Sequence, residues 1–293
     1  MTTRQTTIRF FVIFGYFFNL WKFKAYSYFL RKLISILFYE KEDLLIFNNS
    51  VLLIDGRSSE LSYCFYDILE NNLCNFLSKH LKKGDVFIDI GAHIGYYTIL
   101  ASKEVGEEGK VVAFEPFIAN FNRLVKNIKL NQCKNVISEC FAISNRRAYV
   151  KLFSGVDTFT YSLVRNRKPS LYSFVPSISL DKYVLSKRIE PKVIKIDVEG
   201  GELDVIESGM KVIRIYKPIL VVEFHPIILN QKFSKELRKI LGFLKKHYKF
   251  YILWNGNVLQ IENLKKYITM IPNKYRMPIY PKFVFFPADY TKE

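Results

Sequence analysis

The sequence lacks the patterns that mark a zinc site or a disulfide framework. It has only four cysteines and four histidines in 293 residues. Cys64, Cys74, Cys133 and Cys140 form no CxxC pair and no ligand spacing with the histidines. No metal site is therefore predicted from them, and they are interpreted as core or incidental thiols of a protein in a reducing compartment.

The N-terminus lacks both acids and an apolar run long enough to cross a bilayer. Residues 8–21 are almost wholly apolar and aromatic, but they fall short of the about 20 residues that a spanning helix needs. Residues 1–39 hold six Lys or Arg and no Asp or Glu. Two interpretations of the extension, residues 1–43, stay open: a basic helix at the surface of an anionic membrane, or a helix packed on the main domain or on a second subunit.

The same segment also lacks the small-residue cleavage site that follows the apolar run of a secretory signal. We therefore expect a cytoplasmic protein. If the extension binds lipid, we expect the protein at the inner face of the cell membrane.

What the sequence does have is an excess of basic residues and enough apolar residues for a core. Lys and Arg number 44 against 27 Asp and Glu, which gives a net charge of +17 and a pI of about 9.5. Such a surface favours anionic partners. Hydrophobic residues make up 49% of the chain, which excludes global disorder. The length predicts one large domain, residues 44–293, after the extension.

Strands and helices alternate from residue 85 onwards. A hairpin is predicted at residues 44–55 and a polar insertion, a candidate lid or acceptor loop, at residues 154–177. The predicted strands are residues 85–90, 110–115, 135–140, 148–153, 192–198, 218–224, 249–254 and 282–287, and the predicted helices are residues 60–81, 94–105, 117–130, 201–214 and 233–248. This alternation predicts an α/β fold with a parallel sheet and helices on both faces, which binds its ligand beyond the carboxyl ends of the strands.

Two glycines and two acids lie where that ligand is expected. Gly91 and Gly95 join the first strand to its helix, and their GxxxG spacing lacks the third glycine of the dinucleotide fingerprint. Asp89 would repel a pyrophosphate but suits a ligand that carries an amine or hydroxyls. Glu115 ends the next strand, where an acid accepts hydrogen bonds from ribose hydroxyls. A ribose-containing ligand with a positive linker is predicted, and S-adenosylmethionine meets that description.

The segment VIKIDVEGGELDVIE, residues 193–207, gathers carboxylates at the end of another strand. Asp197 ends the predicted strand and Glu199 starts the next turn, so both are expected to face the cleft. Glu202 falls in the first helical turn, where the helix dipole favours an acid. Asp204 and Glu207 are interpreted as a solvated helix face.

Several motifs in order resemble the FkbM-type methyltransferase family. They are GDVFIDIGAHIGYYT, VVAFEPFIANFNRLVKNIKLN, SISLD and IKIDVEGGELDVIESG, and the similarity covers roughly residues 60–225. The resemblance implies an S-adenosylmethionine-dependent enzyme with the Rossmann-like, seven-stranded class I methyltransferase sheet, here with an N-terminal helical extension. Members of known activity generally methylate hydroxyl oxygens of sugars or natural products.

The resemblance also implies roles for particular residues. It places Asp197 and Glu199 near the methyl-transfer centre. His93 stands where the family often has Asn, and we assign it no catalytic role. The implied cofactor-binding residues are Asp89, Gly91, Ala92 and Gly95 at the methionine end, Glu115 at the ribose, and Cys140 and Ala142 near the adenine.

The proton acceptor is left open by the sequence. Asp197 or Glu199 can take the proton of a hydroxyl acceptor, and His225, which titrates near neutrality, is a third candidate. In a less favoured alternative, Asp197, Glu199 and Glu223 bind Mg²⁺. The family resemblance calls for no metal, so none is predicted.

The predicted function is O-methylation of a sugar hydroxyl on a glycan or glycolipid, with S-adenosylmethionine as the methyl donor. The partners expected are a hydroxyl-bearing small molecule or glycan, and a membrane surface through residues 1–39. The net charge keeps an RNA methyltransferase as an alternative, but the sequence shows no RNA-binding signature and no NPPY-like or Pro-Cys motif. Nucleic acid is therefore not expected as a partner. A non-catalytic, membrane-associated binding protein is the third alternative.

Overall fold

The computed structural model describes residues 43–47, 50–54, 71–145, 148–154, 161–162, 172–224, 234–254, 257–262 and 282–291. The extension before Asp43, the first half of the helix predicted at residues 60–81, and His225 lie outside these residues. Within them, one large sheet carries helices on both faces, and two smaller sheets accompany it.

The elements are numbered in chain order within the described residues. The strands are β1 (Asp43–Phe47), β2 (Ser50–Ile54), β3 (Val86–Ile90), β4 (Lys110–Phe114), β5 (Val136–Glu139), β6 (Ala142–Ile143), β7 (Tyr149–Ser154), β8 (Tyr161–Ser162), β9 (Tyr172–Ile178), β10 (Val193–Ile196), β11 (Ile219–Glu223), β12 (Tyr248–Trp254), β13 (Asn257–Gln260) and β14 (Lys282–Pro287). The helices are α1 (Asn71–His80), α2 (Tyr96–Val105), α3 (Ile118–Leu130), α4 (Leu180–Ser186), α5 (Glu202–Ser208), α6 (Met210–Tyr216) and α7 (Ser234–His247).

The large sheet has the strand order β13-β12-β14-β11-β10-β3-β4-β5. β11, β10, β3, β4 and β5 run parallel, whereas β14 is antiparallel to both of its neighbours. The predicted Rossmann-like α/β fold is confirmed, with eight strands in the main sheet rather than seven. The additional strand is β13, a short edge strand whose NVLQ sequence is too polar to show an apolar run.

Burial on both faces explains why the central strands are almost continuously apolar. Phe87 and Val193 belong to a buried cluster with α1 and α2, while their neighbours Ile88 and Ile194 belong to a second cluster with α4, α5 and α7. Successive side chains of a strand point to opposite faces, so each face needs its own apolar set. None of the helices in the described residues is long and apolar enough to cross a membrane.

The predicted hairpin is formed by β1 and β2, and two asparagines hold it: Asn127 of α3 and Asn131, which directly follows α3. Asn131 accepts the Val51 N–H at 2.9 Å and donates to the Val51 carbonyl at 2.6 Å. Asn127 does the same for Leu53, at 2.7 and 3.2 Å. Two side-chain amides one helical turn apart thus pair with alternate residues of β2, as a neighbouring strand would. We call these two residues the asparagine clamp.

The smaller four-stranded sheet has the order β6-β9-β7-β8 and occupies part of the segment predicted as a polar insertion. Val150, Leu152 and Val175 are buried on its inner face, with Ala142 and against Phe117. β9 shows no apolar alternation in the sequence because its outer face carries exposed aromatic residues rather than polar ones.

The helix predicted at residues 201–214 is two helices, α5 and α6, which meet at Gly209. A Cβ at Gly209 would lie 2.6 Å from the Leu180 side chain of α4, so this close packing needs glycine. Asp181 of α4 accepts the Lys211 and Val212 N–H groups at 3.2 and 2.9 Å and so caps the first turn of α6.

Candidate active site

The predicted site residues lie on loops that follow three adjacent parallel strands. The loop from Gly91 to Gly95, which we call the glycine loop, follows β3. Glu115 follows β4, and the turn from Asp197 to Gly201 follows β10. Because β3 pairs with both β4 and β10, these segments meet at the carboxyl edge of the sheet. The structure therefore brings most of the predicted residues together, although their roles remain predictions.

The loop after β3 and the turn after β10 pack closely against each other at Gly91. The Asp197 N–H donates to the Ile90 carbonyl at 3.0 Å, which extends the β10–β3 pairing by one residue. A Cβ at Gly91 would lie 1.8 Å from the Asp197 carbonyl oxygen, and Gly91 has a φ of 80°. Both the backbone conformation and the close approach therefore require glycine.

Lys195 is a charged residue of this site that the sequence prediction did not single out. It lies on β10 inside an apolar run and is 3% exposed. Its ammonium lies 3.1 Å from an Asp89 carboxylate oxygen, 3.1 Å from the Gly91 carbonyl oxygen and 3.7 Å from an Asp197 carboxylate oxygen. Lys195 thus joins the strand end of β3, the glycine loop and the predicted catalytic acid.

The electrostatic environment keeps Lys195 charged. Burial lowers its pKa, but the nearby carboxylates of Asp89 and Asp197 outweigh this effect, so the pKa lies above its ordinary value. Asp89 is itself fully buried, and its second oxygen accepts the Thr98 hydroxyl at 2.7 Å. The structure thus places the Asp89 carboxylate beneath the glycine loop, where it pairs with Lys195.

Glu115 is buried with two backbone donors. Its carboxylate oxygens accept the His93 N–H at 2.9 Å and the Phe117 N–H at 3.0 Å. Burial nevertheless raises its pKa to about 7, because two hydrogen bonds do not replace the lost hydration. The group therefore gains from any further donor that reaches it, such as a ribose hydroxyl.

His93 occupies a strained position in the glycine loop. Its φ is 52°, a region where Asn and His are among the better tolerated side chains, so His is compatible with this backbone conformation. Burial lowers its pKa to about 4, so the ring is neutral at physiological pH.

The segment predicted near the adenine passes close to Glu115. Cys140 lies 3.8 Å from the Pro116 carbonyl oxygen, and burial and the Glu115 charge raise the pKa of its thiol. Ala142 begins β6 and is buried, in a cluster against which Phe117 packs. The segment from Cys140 to Ala142 therefore lies beside the residues that follow β4.

The turn after β10 is shaped by two residues with left-handed backbone conformation. Glu199 and Gly200 have φ values of 54° and 104°, and the buried Glu202 carboxylate accepts the Gly200 N–H at 2.7 Å. Glu202 therefore secures this turn. Asp204 does not belong to a solvated face as predicted, because it is partly buried and accepts the Ser144 hydroxyl at 2.6 Å. The Asp197 side chain remains 27% exposed and opens towards the edge.

Glu223 is engaged in an ion pair with Lys282. These residues face each other across β11 and β14, their charged atoms are 2.9 Å apart, and both side chains are largely buried. Among the residues that the structure describes, no three His, Cys, Asp or Glu side chains form a group that could hold a metal ion.

Comparison with known proteins relates the chain to methyltransferases. The family model of the methyltransferase FkbM domain matches residues 89–252, more than half of the chain. The hexuronic acid methyltransferase AglP of Haloferax volcanii is 26% identical over 186 residues, which cover 58% of this chain and 72% of that protein.

Two solved structures are also similar. The methyltransferase FkbM of Methylobacillus flagellatus KT has a TM-score of 0.43 and 11% identity, over 78% of this chain and 54% of that one. An rRNA methylase from Streptococcus thermophilus has a TM-score of 0.43 and 11% identity, over 73% of this chain and 93% of that one.

Proposed function

The chain belongs to the FkbM methyltransferase family and is an S-adenosylmethionine-dependent methyltransferase, and from this premise we propose that it methylates a hydroxyl oxygen of a sugar on a glycan or glycolipid. The observation that carries the proposal is the partly exposed Asp197 carboxylate beside the glycine loop. The similarity to a hexuronic acid methyltransferase supports a sugar acceptor.

The cofactor fits the residues at the carboxyl edge. Bound S-adenosylmethionine supplies a methyl group on a sulfonium, which is already a good leaving group. The loop from Gly91 to Gly95 would receive the methionine end, Glu115 would accept from the ribose hydroxyls, and the segment from Cys140 to Ala142 would border the adenine.

The chemical task of the protein is to position the acceptor and to take its proton. Positioning converts the transfer into an effectively unimolecular step. A carboxylate within hydrogen-bonding reach of the acceptor hydroxyl adds typically about 10²- to 10⁴-fold as a general base. Asp197 is our choice for this base, because Lys195 and the contact with Gly91 fix its position, and Glu199 next to it orients the sugar.

Calorimetry with S-adenosylhomocysteine and a transfer assay with hexuronate-containing and neutral glycans test the proposal. We expect binding at micromolar concentrations and transfer to a hydroxyl of the glycan. Asp197→Asn should remove transfer while it leaves the fold and the cofactor affinity largely intact, and Glu199→Gln should mainly raise the KM for the sugar. Methylation of RNA and of none of the glycans in the same assay would refute the sugar acceptor.

We also propose a cytoplasmic location, with residues 1–39 in contact with the inner face of the cell membrane. The support is the charge of this segment, which has six basic residues and no acid alongside a run of aromatic residues. A glycolipid acceptor would lie at the same surface.

A further inference from the structure

One buried polar atom near the glycine loop has no hydrogen-bond partner. Asn120 is 2% exposed, and within the part of the chain that the structure describes its Oδ1 atom is buried and accepts no hydrogen bond. Buried polar groups are nearly always paired, because an unpaired one loses its hydration without compensation. The unpaired Oδ1 atom of Asn120 therefore needs an explanation, such as a hydrogen-bond donor that a bound molecule supplies.

Another asparagine of the same helix, Asn127, has a hydrogen-bonded side chain and provides a comparison. Asn127 lies on the same buried face of α3, and its side chain makes three hydrogen bonds of 2.7–3.2 Å with the backbone of Leu53 and Ile94. The unpaired Asn120 oxygen is therefore not a general property of this helix face.

The position of Asn120 points to the cofactor as the source of the donor. It lies in the first turn of α3, which begins three residues after Glu115, at the carboxyl edge of the sheet. One turn later on the same face, Leu124 packs against the glycine loop, since a Cβ at Gly95 would lie 2.6 Å from its side chain. Asn120 is thus on the side of α3 that meets this loop, at the end nearest Glu115.

We propose that Asn120 Oδ1 accepts a hydrogen bond from the nucleoside half of the cofactor and thereby helps to select it. The donors available there are the adenine amino group and the ribose hydroxyls. Glu115, five residues earlier, is a second buried acceptor, and although it accepts two backbone N–H groups, it gains from a further donor, so the two residues present acceptors to one nucleoside. The proposal rests on the cofactor and does not depend on the sugar acceptor.

Asn120→Leu tests this assignment, with Asn127→Leu as the matched control. Asn120→Leu replaces an unsatisfied acceptor with an apolar group of similar size, so the free protein should melt at the same or a higher temperature. Its affinity for S-adenosylhomocysteine, measured by calorimetry, should fall by about 10- to 100-fold. Asn127→Leu breaks three hydrogen bonds, one of them to Ile94 in the glycine loop, so the free protein should melt lower, and any loss of affinity should accompany that loss of stability.

Analogues of the ligand identify the donor. Wild-type protein is titrated with S-inosylhomocysteine, which lacks the amino group, and with the 2′-deoxy and 3′-deoxy forms of S-adenosylhomocysteine. The analogue that lacks the donor to Asn120 should bind the wild type more weakly, and this penalty should vanish in Asn120→Leu. If Asn120→Leu does not fold, Asn120→Ala serves in its place.

Three results would overturn the inference: unchanged affinity in Asn120→Leu, a melting temperature lowered as in Asn127→Leu, or penalties that persist for all three analogues. A wild-type protein that fails to bind S-adenosylhomocysteine at all would instead refute the cofactor site.

Discussion

Gly91 is constrained by its left-handed backbone conformation and by its close approach to the Asp197 carbonyl. A comparison of Gly91→Ala with Gly84→Ala separates the two effects. Gly91→Ala places a methyl group in a left-handed backbone conformation, which costs about 1–2 kcal/mol, and drives it into the Asp197 carbonyl, which adds about 1–3 kcal/mol. Gly84 has a similar φ of 86°, but a Cβ there would meet nothing within 4 Å. Gly84→Ala should therefore lose only the first amount.

Urea unfolding of the two variants measures the difference between them. Cofactor affinity should fall in Gly91→Ala alone, because the glycine loop has to move. Equal losses of stability would show that the contact between the two loops carries no cost.

The raised pKa of Glu115 leads us to expect that cofactor binding depends on pH. Its pKa of about 7 in the folded protein lies above the value of 4.5 for an ordinary glutamate. In the free protein this group therefore contributes stability that is full below pH 4.5 and is lost as the pH rises through about 7. Ribose hydroxyls donate to the ionised carboxylate, so binding below pH 7 has to release the proton.

Affinity for S-adenosylhomocysteine should accordingly rise with pH, by up to about tenfold per unit below pH 7, and level off above it. Calorimetry between pH 5.5 and 8 in buffers of different ionisation enthalpy measures both the affinity and the protons released. His93 stays neutral throughout this range. Glu115→Gln should bind weakly and without this slope, and a wild-type affinity that is flat with pH would contradict the assignment.

The sequence predicted which residues meet at the carboxyl edge, but it did not predict the partner of Asp89. Strand ends can be read from apolar runs and glycines, so Gly91, Glu115 and Asp197 are found on adjacent loops. The pairing of Asp89 with Lys195 spans 106 positions of sequence, and a lysine inside an apolar strand carries no mark of whether it is buried or exposed. Only the strand order brings the two together.

The asparagine clamp should control the local stability of β2. Asn131→Ala removes the partner of the Val51 N–H, and Asn127→Ala removes that of the Leu53 N–H. Each should lower the free energy of unfolding by about 1–3 kcal/mol, because partly buried backbone groups lose their partners. Amide hydrogen exchange should accelerate most at the residue whose partner is removed, and acceleration that is uniform over the whole domain would contradict a local clamp.

Elements with strong periodicity were predicted, and elements defined by their neighbours were not. The central strands and α3 follow from apolar spacing alone. The short helix α4 depends on the Ser179 cap, whose hydroxyl accepts the Lys182 N–H at 3.2 Å. The break at Gly209 depends on contact with α4, and β9 depends on pairing with β7. Such contacts are tertiary, so a local pattern does not contain them.

For the molecule as a whole, the charge of the extension predicts reversible membrane binding. Full-length protein should float with vesicles that contain anionic lipid, and deletion of residues 1–39 should abolish flotation. Added salt should weaken flotation, because it screens the attraction between basic residues and lipid headgroups. The deleted protein should still bind S-adenosylhomocysteine. Unchanged flotation after the deletion would refute the proposed contact.

The place of β14 has a consequence for biosynthesis. This strand follows β12 in the chain, yet in the sheet it lies between β11 and β12, which the ribosome makes earlier. Until residues 282–287 leave the exit tunnel, β11 has an unpaired apolar edge and Glu223 lacks its partner Lys282. The nascent chain therefore depends on protection of that edge, and a chain that stops before residue 282 can never complete the sheet.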